Sequence, residues 1–156
     1  GRSGYHPVIE QQGDRWIVYI GHHAGAAYNP LTGKDEGNGT SIIDVTDPSN
    51  PQYLAHIEGL PGVGEPLNDS EAQMVRTCAG SDLPNGIDGH YYLLRAVGTR
   101  GHQIYDVTTP EEPELIVAME GGGLVDTHKN WWECDTGIAY LVSGVEGWAT
   151  RRMTQV

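Results

Sequence analysis

Gly39 to Gly59 reads GTSIIDVTDPSNPQYLAHIEG, and Gly101 to Gly121, sixty-two positions on, reads GHQIYDVTTPEEPELIVAMEG. The two stretches align without a gap. They share Gly39/Gly101, Ile42/Ile104, Asp44/Asp106, Val45/Val107, Thr46/Thr108, Pro48/Pro110, Pro51/Pro113, Glu58/Glu120 and Gly59/Gly121. A self-match at this period is the mark of a repeat architecture, and it sets the frame for every local reading.

Each copy reads as two strands around a turn. Ser41–Val45 and Gln52–Glu58 are the strands of the first copy, and Gln103–Val107 and Glu114–Glu120 those of the second. Proline presets φ at the second position of the turn, at Pro48 and Pro110. Pro51 and Pro113 stand at the start of the next strand, where no ladder donor is needed. Asp44 and Asp106 precede the turn, where a carboxylate accepts backbone N–H groups.

Outward from the repeat, Trp16–Gly21 (WIVYIG) is a short apolar run of the kind that forms a buried strand, and His6–Glu10 is its hairpin partner across the turn Gln11–Asp14. The segment His6–Gly21 lies without a gap on His128–Ser143. A middle copy, Ala72–Cys78 followed by the strand opening at Tyr91, fits with a longer loop between its strands. The expected unit is therefore four antiparallel strands in series. Such units are the blades of a β-propeller. The expectation is an all-β chain, a partial propeller with one blade over about 6–59, a second over about 70–121 and part of a third over about 126–156. Since closure takes about 4 to 8 blades, the chain reads as a segment of a longer propeller that ends inside a third strand.

Composition agrees: 22 glycines, 9 prolines and no sustained helical periodicity in 156 residues. The net charge of −12 argues against nucleic acid and anionic membranes as partners, since both require clustered Lys and Arg. The nearest approach to a basic cluster is Arg151-Arg152. No apolar run is long enough to span a bilayer. The first residue is Gly1 and no leader is visible, which reads as a leader already removed or not included. Walker, GxSxG, HExxH and CxxC motifs are absent.

The alternation of strands sends His6, His22, His23, His102 and His128 to one end of the blades. Imidazole suits Cu, Zn or Fe, so His6, His22, His23 and His128 are candidate metal ligands, with Glu71, His102, Asp126 and Glu146 as candidate supporting groups or bases. Against this stands the ordinary reading, in which these histidines pack, hydrogen-bond or sense pH. The loop Asn29–Asn38, with Asp35, Glu36 and Asn38, offers hard oxygen donors for Ca²⁺, or is a solvated hairpin loop. Cys78 and Cys134 occupy matching ends of first strands. They form either a disulfide, as exported proteins do, or two buried small apolar residues.

The segments IIDVTDPSNPQYLAHI and IYDVTTPEEPELIVAM resemble the LVIVD-type repeat of secreted bacterial and archaeal β-propellers, with Thr109 in place of the usual acidic residue. The resemblance implies an exported, extracytoplasmic propeller, periplasmic, surface-bound or secreted, and no single activity; the expectation drawn from the chain as a whole is a binding or interaction module within a larger surface or periplasmic assembly. Its partners would be a protein or small ligand and the remaining blades of the same propeller. The adjacent pair His22-His23 is similar to that of the selenium-binding protein and methanethiol oxidase propellers, which implies the alternative of a metal-dependent enzyme, an oxidoreductase.

Overall fold

The computed structural model describes residues 2–60, 71–98, 100–121, 124–125, 127–145 and 152–155. Fourteen strands are described: β1 (Gly4–Gln12), β2 (Arg15–His22), β3 (Ala26–Asn29), β4 (Lys34–Gly37), β5 (Gly39–Asp44), β6 (Gln52–Glu58), β7 (Val75–Ala79), β8 (Tyr91–Val97), β9 (Gly101–Asp106), β10 (Glu114–Glu120), β11 (Leu124–Val125), β12 (Asn130–Glu133), β13 (Ile138–Val145) and β14 (Arg152–Gln155). They form small antiparallel sheets. The first sheet has the order β1-β2-β5-β6 and the second β7-β8-β9-β10, while the third is built on β13 with β11, β12 and β14 as neighbours. A separate hairpin, β3–β4, stands between β2 and β5. It occupies the stretch read from sequence as the loop Asn29–Asn38.

The repeat explains why the sheets match. Asp44 Oδ1 accepts the Thr46 N–H at 2.8 Å and Asp106 Oδ1 accepts the Thr108 N–H at 2.8 Å. Each turn then closes across its first proline, with the Asn50 N–H donating to Asp47 O and the Glu112 N–H to Thr109 O. The leading glycine of the motif has a packing reason. A Cβ at Gly39 would sit 2.0 Å from Ile57 O, and one at Gly101 2.7 Å from Met119 O.

Between the first and second sheets lies the main core: Ile17, Tyr19, Ile42, Ala55 and Ile57 with Val75, Leu93, Tyr105 and Val107, flanked by Val8, Leu54 and Tyr91. Neighbouring sheets approach most closely at their first strands, β1 against β7 and β7 against β12. Gly21, in β2, marks a further close approach to the segment before β7, since a Cβ there would lie 2.4 Å from the carbonyl oxygens of both Ala72 and Gln73. A second, smaller core of Leu94, Ala139 and Leu141 joins the second sheet to the third.

Polar groups tie the layers as well. Arg15 bridges Asp44 at 2.8 Å in its own sheet and Glu111 at 2.6 Å in the next. Cys78, in β7, is disulfide-bonded to Cys134, which follows β12, with their Cα atoms 5.6 Å apart. The second and third sheets are thus joined covalently through β7 and the turn that follows β12. Among the described residues no helix is long and apolar enough to cross a membrane.

Candidate functional site

The pairing of strands places the start of β1, the end of β2 and the start of β5 together, because Gly4 pairs with His22 and Gly21 with Thr40. His22 continues this end towards the second sheet through an isolated backbone bridge to Ala72, which precedes β7. His102 opens β9, and His128 precedes β12 with its N–H on Val142 O at 3.2 Å. Alternation along the strand separates the adjacent pair: His22 is buried and His23 exposed.

His22 is fully engaged. Its Nδ1 lies 2.9 Å from Ser3 O and its Nε2 2.7 Å from Ser41 Oγ. A carbonyl can only accept, so in the neutral ring Nδ1–H donates to Ser3 and Nε2 accepts the Ser41 hydroxyl proton. Ser41 Oγ in turn stands 3.3 Å from Tyr53 OH, which makes a short relay Tyr53–Ser41–His22–Ser3. Burial pushes the His22 pKa down, and the Ser3 carbonyl opposes that shift. A hydroxyl on an imidazole is also the arrangement of an activated nucleophile, but Ser41 is only 4% exposed.

His56, on the outer strand β6, joins this group from a position that the sequence did not flag. Its ring centroid is 6.3 Å from that of His22, its Nε2–H donates to Gly37 O at 3.0 Å, and its buried Nδ1 has no partner among the described residues. Burial drives its pKa down to about 4. The only sequence signal was the cross-strand pairing of His56 with Ser41, which follows once the repeat is laid out as a sheet.

The remaining candidates are dispersed. His6 and His23 flank the Tyr5 ring edge-on, at 4.5 and 4.7 Å between centroids. His6 has a φ of 43° and sits where the β1–β2 register slips. His102 is 1% exposed, and among the described residues neither of its ring nitrogens makes a well-formed hydrogen bond; burial takes its pKa to about 4, opposed by the nearby Val142 carbonyl. Glu71 accepts the Gln73 amide at 2.6 Å. Asp126 and Glu146 lie outside the described residues. Among the described residues, no three His, Cys, Asp or Glu side chains are gathered to hold a metal ion.

In the β3–β4 hairpin, the Glu36 carboxylate accepts from Asn29 Nδ2 at 2.7 Å and from Thr32 Oγ1 at 2.5 Å. Burial raises its pKa, but these two hydrogen bonds outweigh it and hold the group below the usual carboxylate range. Arg2 closes the base of the hairpin by donating to Asn38 Oδ1, Glu36 O and Ala27 O. The oxygen donors considered for Ca²⁺ are therefore largely occupied by the hairpin itself, with Asp35 exposed.

A different kind of feature lies where the second sheet meets the third. An open groove of about 350 Å³ is lined by Tyr92, Ile104, Ile116, Val117, Trp132 and Gly137 together with the loop Leu83–Gly86. Its walls are mainly apolar, and Ile116 and Val117 remain 51% and 41% exposed. No protein-family model, curated protein or solved structure matches the chain.

Proposed function

We propose that the chain is a set of β-propeller blades serving as an exported binding module, with a protein or small ligand as its partner. The observation that carries this reading is the meander order of the two complete sheets, β1-β2-β5-β6 and β7-β8-β9-β10, combined with closest approach at their first strands. Sheets that converge at one edge and diverge at the other are arranged like blades around an axis. The LVIVD-like motif fits the same reading, since its proline turn joins the third and fourth strands in each copy.

Export is supported by the Cys78–Cys134 bond, as such bridges persist in oxidising compartments. The acidic net charge favours a partner that is neutral or basic at its contact surface. The enzyme alternative requires free ring nitrogens. His22 would have to release Ser3 or Ser41 to coordinate a metal, and no observation favours that exchange.

Electron microscopy of the protein in its natural full length tests the proposal. Class averages showing a ring of blades about a central channel are the expected result. A two-layer sandwich or an extended rod would remove the propeller and the binding role argued from it.

A further inference from the structure

Arg2, Arg15 and Arg95 each donate to two or more partners. Arg76, on β7, does not. Among the described residues it makes one hydrogen bond, from Nη1 to the carbonyl oxygen of Val75 at 2.7 Å, and its buried Nε has no partner. It forms no salt bridge with a described residue, although Asp and Glu outnumber Lys and Arg by 21 to 9 in the sequence. Glu10, on the adjacent strand β1, accepts instead from Thr77 Oγ1 at 2.7 Å. Burial lowers the Arg76 pKa with no carboxylate acting against it. A guanidinium nevertheless keeps its charge throughout the ordinary pH range.

What holds Arg76 is an aromatic ring. Its Cζ lies over the indole of Trp131, on β12, at 5.3 Å from the ring centroid. The seam between these two strands is clamped on both sides of the pair. Asn130 Nδ2 donates to Met74 O at 3.4 Å on one side, and the Cys78–Cys134 bond closes the other. Arg76 and Trp131 therefore meet on strands fixed relative to each other, which is the condition for a preorganised contact. Trp131 is still 54% exposed. A guanidinium held over an aromatic face by cation–π attraction keeps its remaining N–H groups for another partner. Those groups lie in a planar fork that fits a carboxylate through two parallel hydrogen bonds.

We propose that Arg76 and Trp131 form a binding subsite for a small aromatic carboxylate, with the carboxylate on the Arg76 fork and the ring of the ligand against the exposed part of Trp131. The inference deepens the binding-module reading by giving the ligand a chemistry. Charge selects the acid over its neutral analogue, because Arg76 otherwise keeps a partly buried cation without a counter-charge. The net charge of −12 selects a single negative charge over a dianion such as phosphate, which the rest of the chain repels more strongly. An aromatic body suits the indole because offset or edge-on rings attract each other beyond the area they bury.

The test titrates benzoate into the ¹⁵N-labelled 156-residue chain with its disulfide intact and follows the Trp131 indole N–H, assigned by its loss in Trp131→Leu. The expected result is a saturable shift of that signal. Binding should be at least about tenfold weaker for benzamide, which has the same ring and no charge, and for benzoate with Arg76→Gln, since each change removes a charge-assisted hydrogen-bonded pair. A thermal melt shows whether Arg76→Gln is folded. Should it not be, the benzoate and benzamide titrations of the parent chain decide the matter without it, and Trp131→Leu, at an exposed position, is expected to weaken benzoate binding by calorimetry. No shift at Trp131, equal binding of benzamide, unchanged binding by folded Arg76→Gln, or displacement of benzoate by an equal concentration of inorganic phosphate would each overturn the inference. A ring of blades seen by microscopy alongside a failed titration would overturn this inference alone. Benzoate binding by a chain that microscopy shows as a sandwich would remove the propeller and leave the subsite, which needs only β7 and β12.

Discussion

The guanidinium of Arg95 donates to the carbonyl oxygen of Glu58 at 2.7 Å, so a fully buried cation in the second sheet holds the end of the last strand of the first. It also reaches Ile57 O at 3.0 Å, Gln103 Oε1 and Tyr105 OH, and lies 5.0 Å from the Tyr105 ring centroid. Burial lowers its pKa, with Tyr105 and Glu120 acting in the opposite direction. Gln103 passes the contact on to Glu120, so this carboxylate is one residue removed from the guanidinium. Arg95→Ala removes the donor shared by the Ile57 and Glu58 carbonyls and opens a cavity. The expected cost is on the order of 3 kcal/mol, read as a lower urea midpoint with an unchanged slope.

The Cys78–Cys134 bond closes a loop across a sequence separation of 56. In the chain-entropy account a loop of this length stabilises by about 4 kcal/mol. Cys78→Ala with Cys134→Ala is expected to lower the melting temperature substantially, and a reductant should do the same to the parent chain and nothing to the double variant. Thiol titration of the unfolded, unreduced protein should find no free thiol.

Acid should loosen the fold first through its buried histidines. His56 and His102 are held near a pKa of about 4 by burial, and His22 is lowered for the same reason. Their unfolded value is near 6.5, so below that pH the unfolded chain binds more protons than the folded one. Stability is then lost as pH falls from about 6.5 towards 4, by up to about 1.4 kcal/mol per pH unit for each histidine that titrates. Asp44, held at about 2 by the Thr46 hydrogen bonds and then Arg15, adds its loss only at lower pH. Urea midpoints measured across this range check the prediction, and replacing His56 and His102 together with Gln should flatten the dependence.

The outer half of each sheet was legible in the sequence because its residues are set by local chemistry. The proline turns and their aspartates fix where β6 and β10 begin, and both strands run over the ranges read from the repeat. The inner hairpins carry no such punctuation. The gapless match of His6–Gly21 to His128–Ser143 sets Ile17 against Ala139, whereas the hydrogen bonds set Ile17 against Ile138 through Tyr92. One residue of slip reverses the faces of a strand, which is why Ala139 packs toward the second sheet. The histidine end was legible as a location and not as a set of contacts. His22 turned inward to Ser41 and His56, and His6 and His23 turned outward to Tyr5, a choice made by burial and strand alternation that a list of positions does not contain.

The central claim is that the sheets converge at their first strands and spread at their fourth. Distances between paired spin labels on introduced cysteines measure this directly, with one pair at Gln11 and Arg76 and the other at Gln52 and Glu114. The account predicts a clearly longer distance for the Gln52–Glu114 pair, which joins β6 to β10, than for the Gln11–Arg76 pair, which joins β1 to β7. Equal distances, as in sheets stacked in parallel layers, would contradict it.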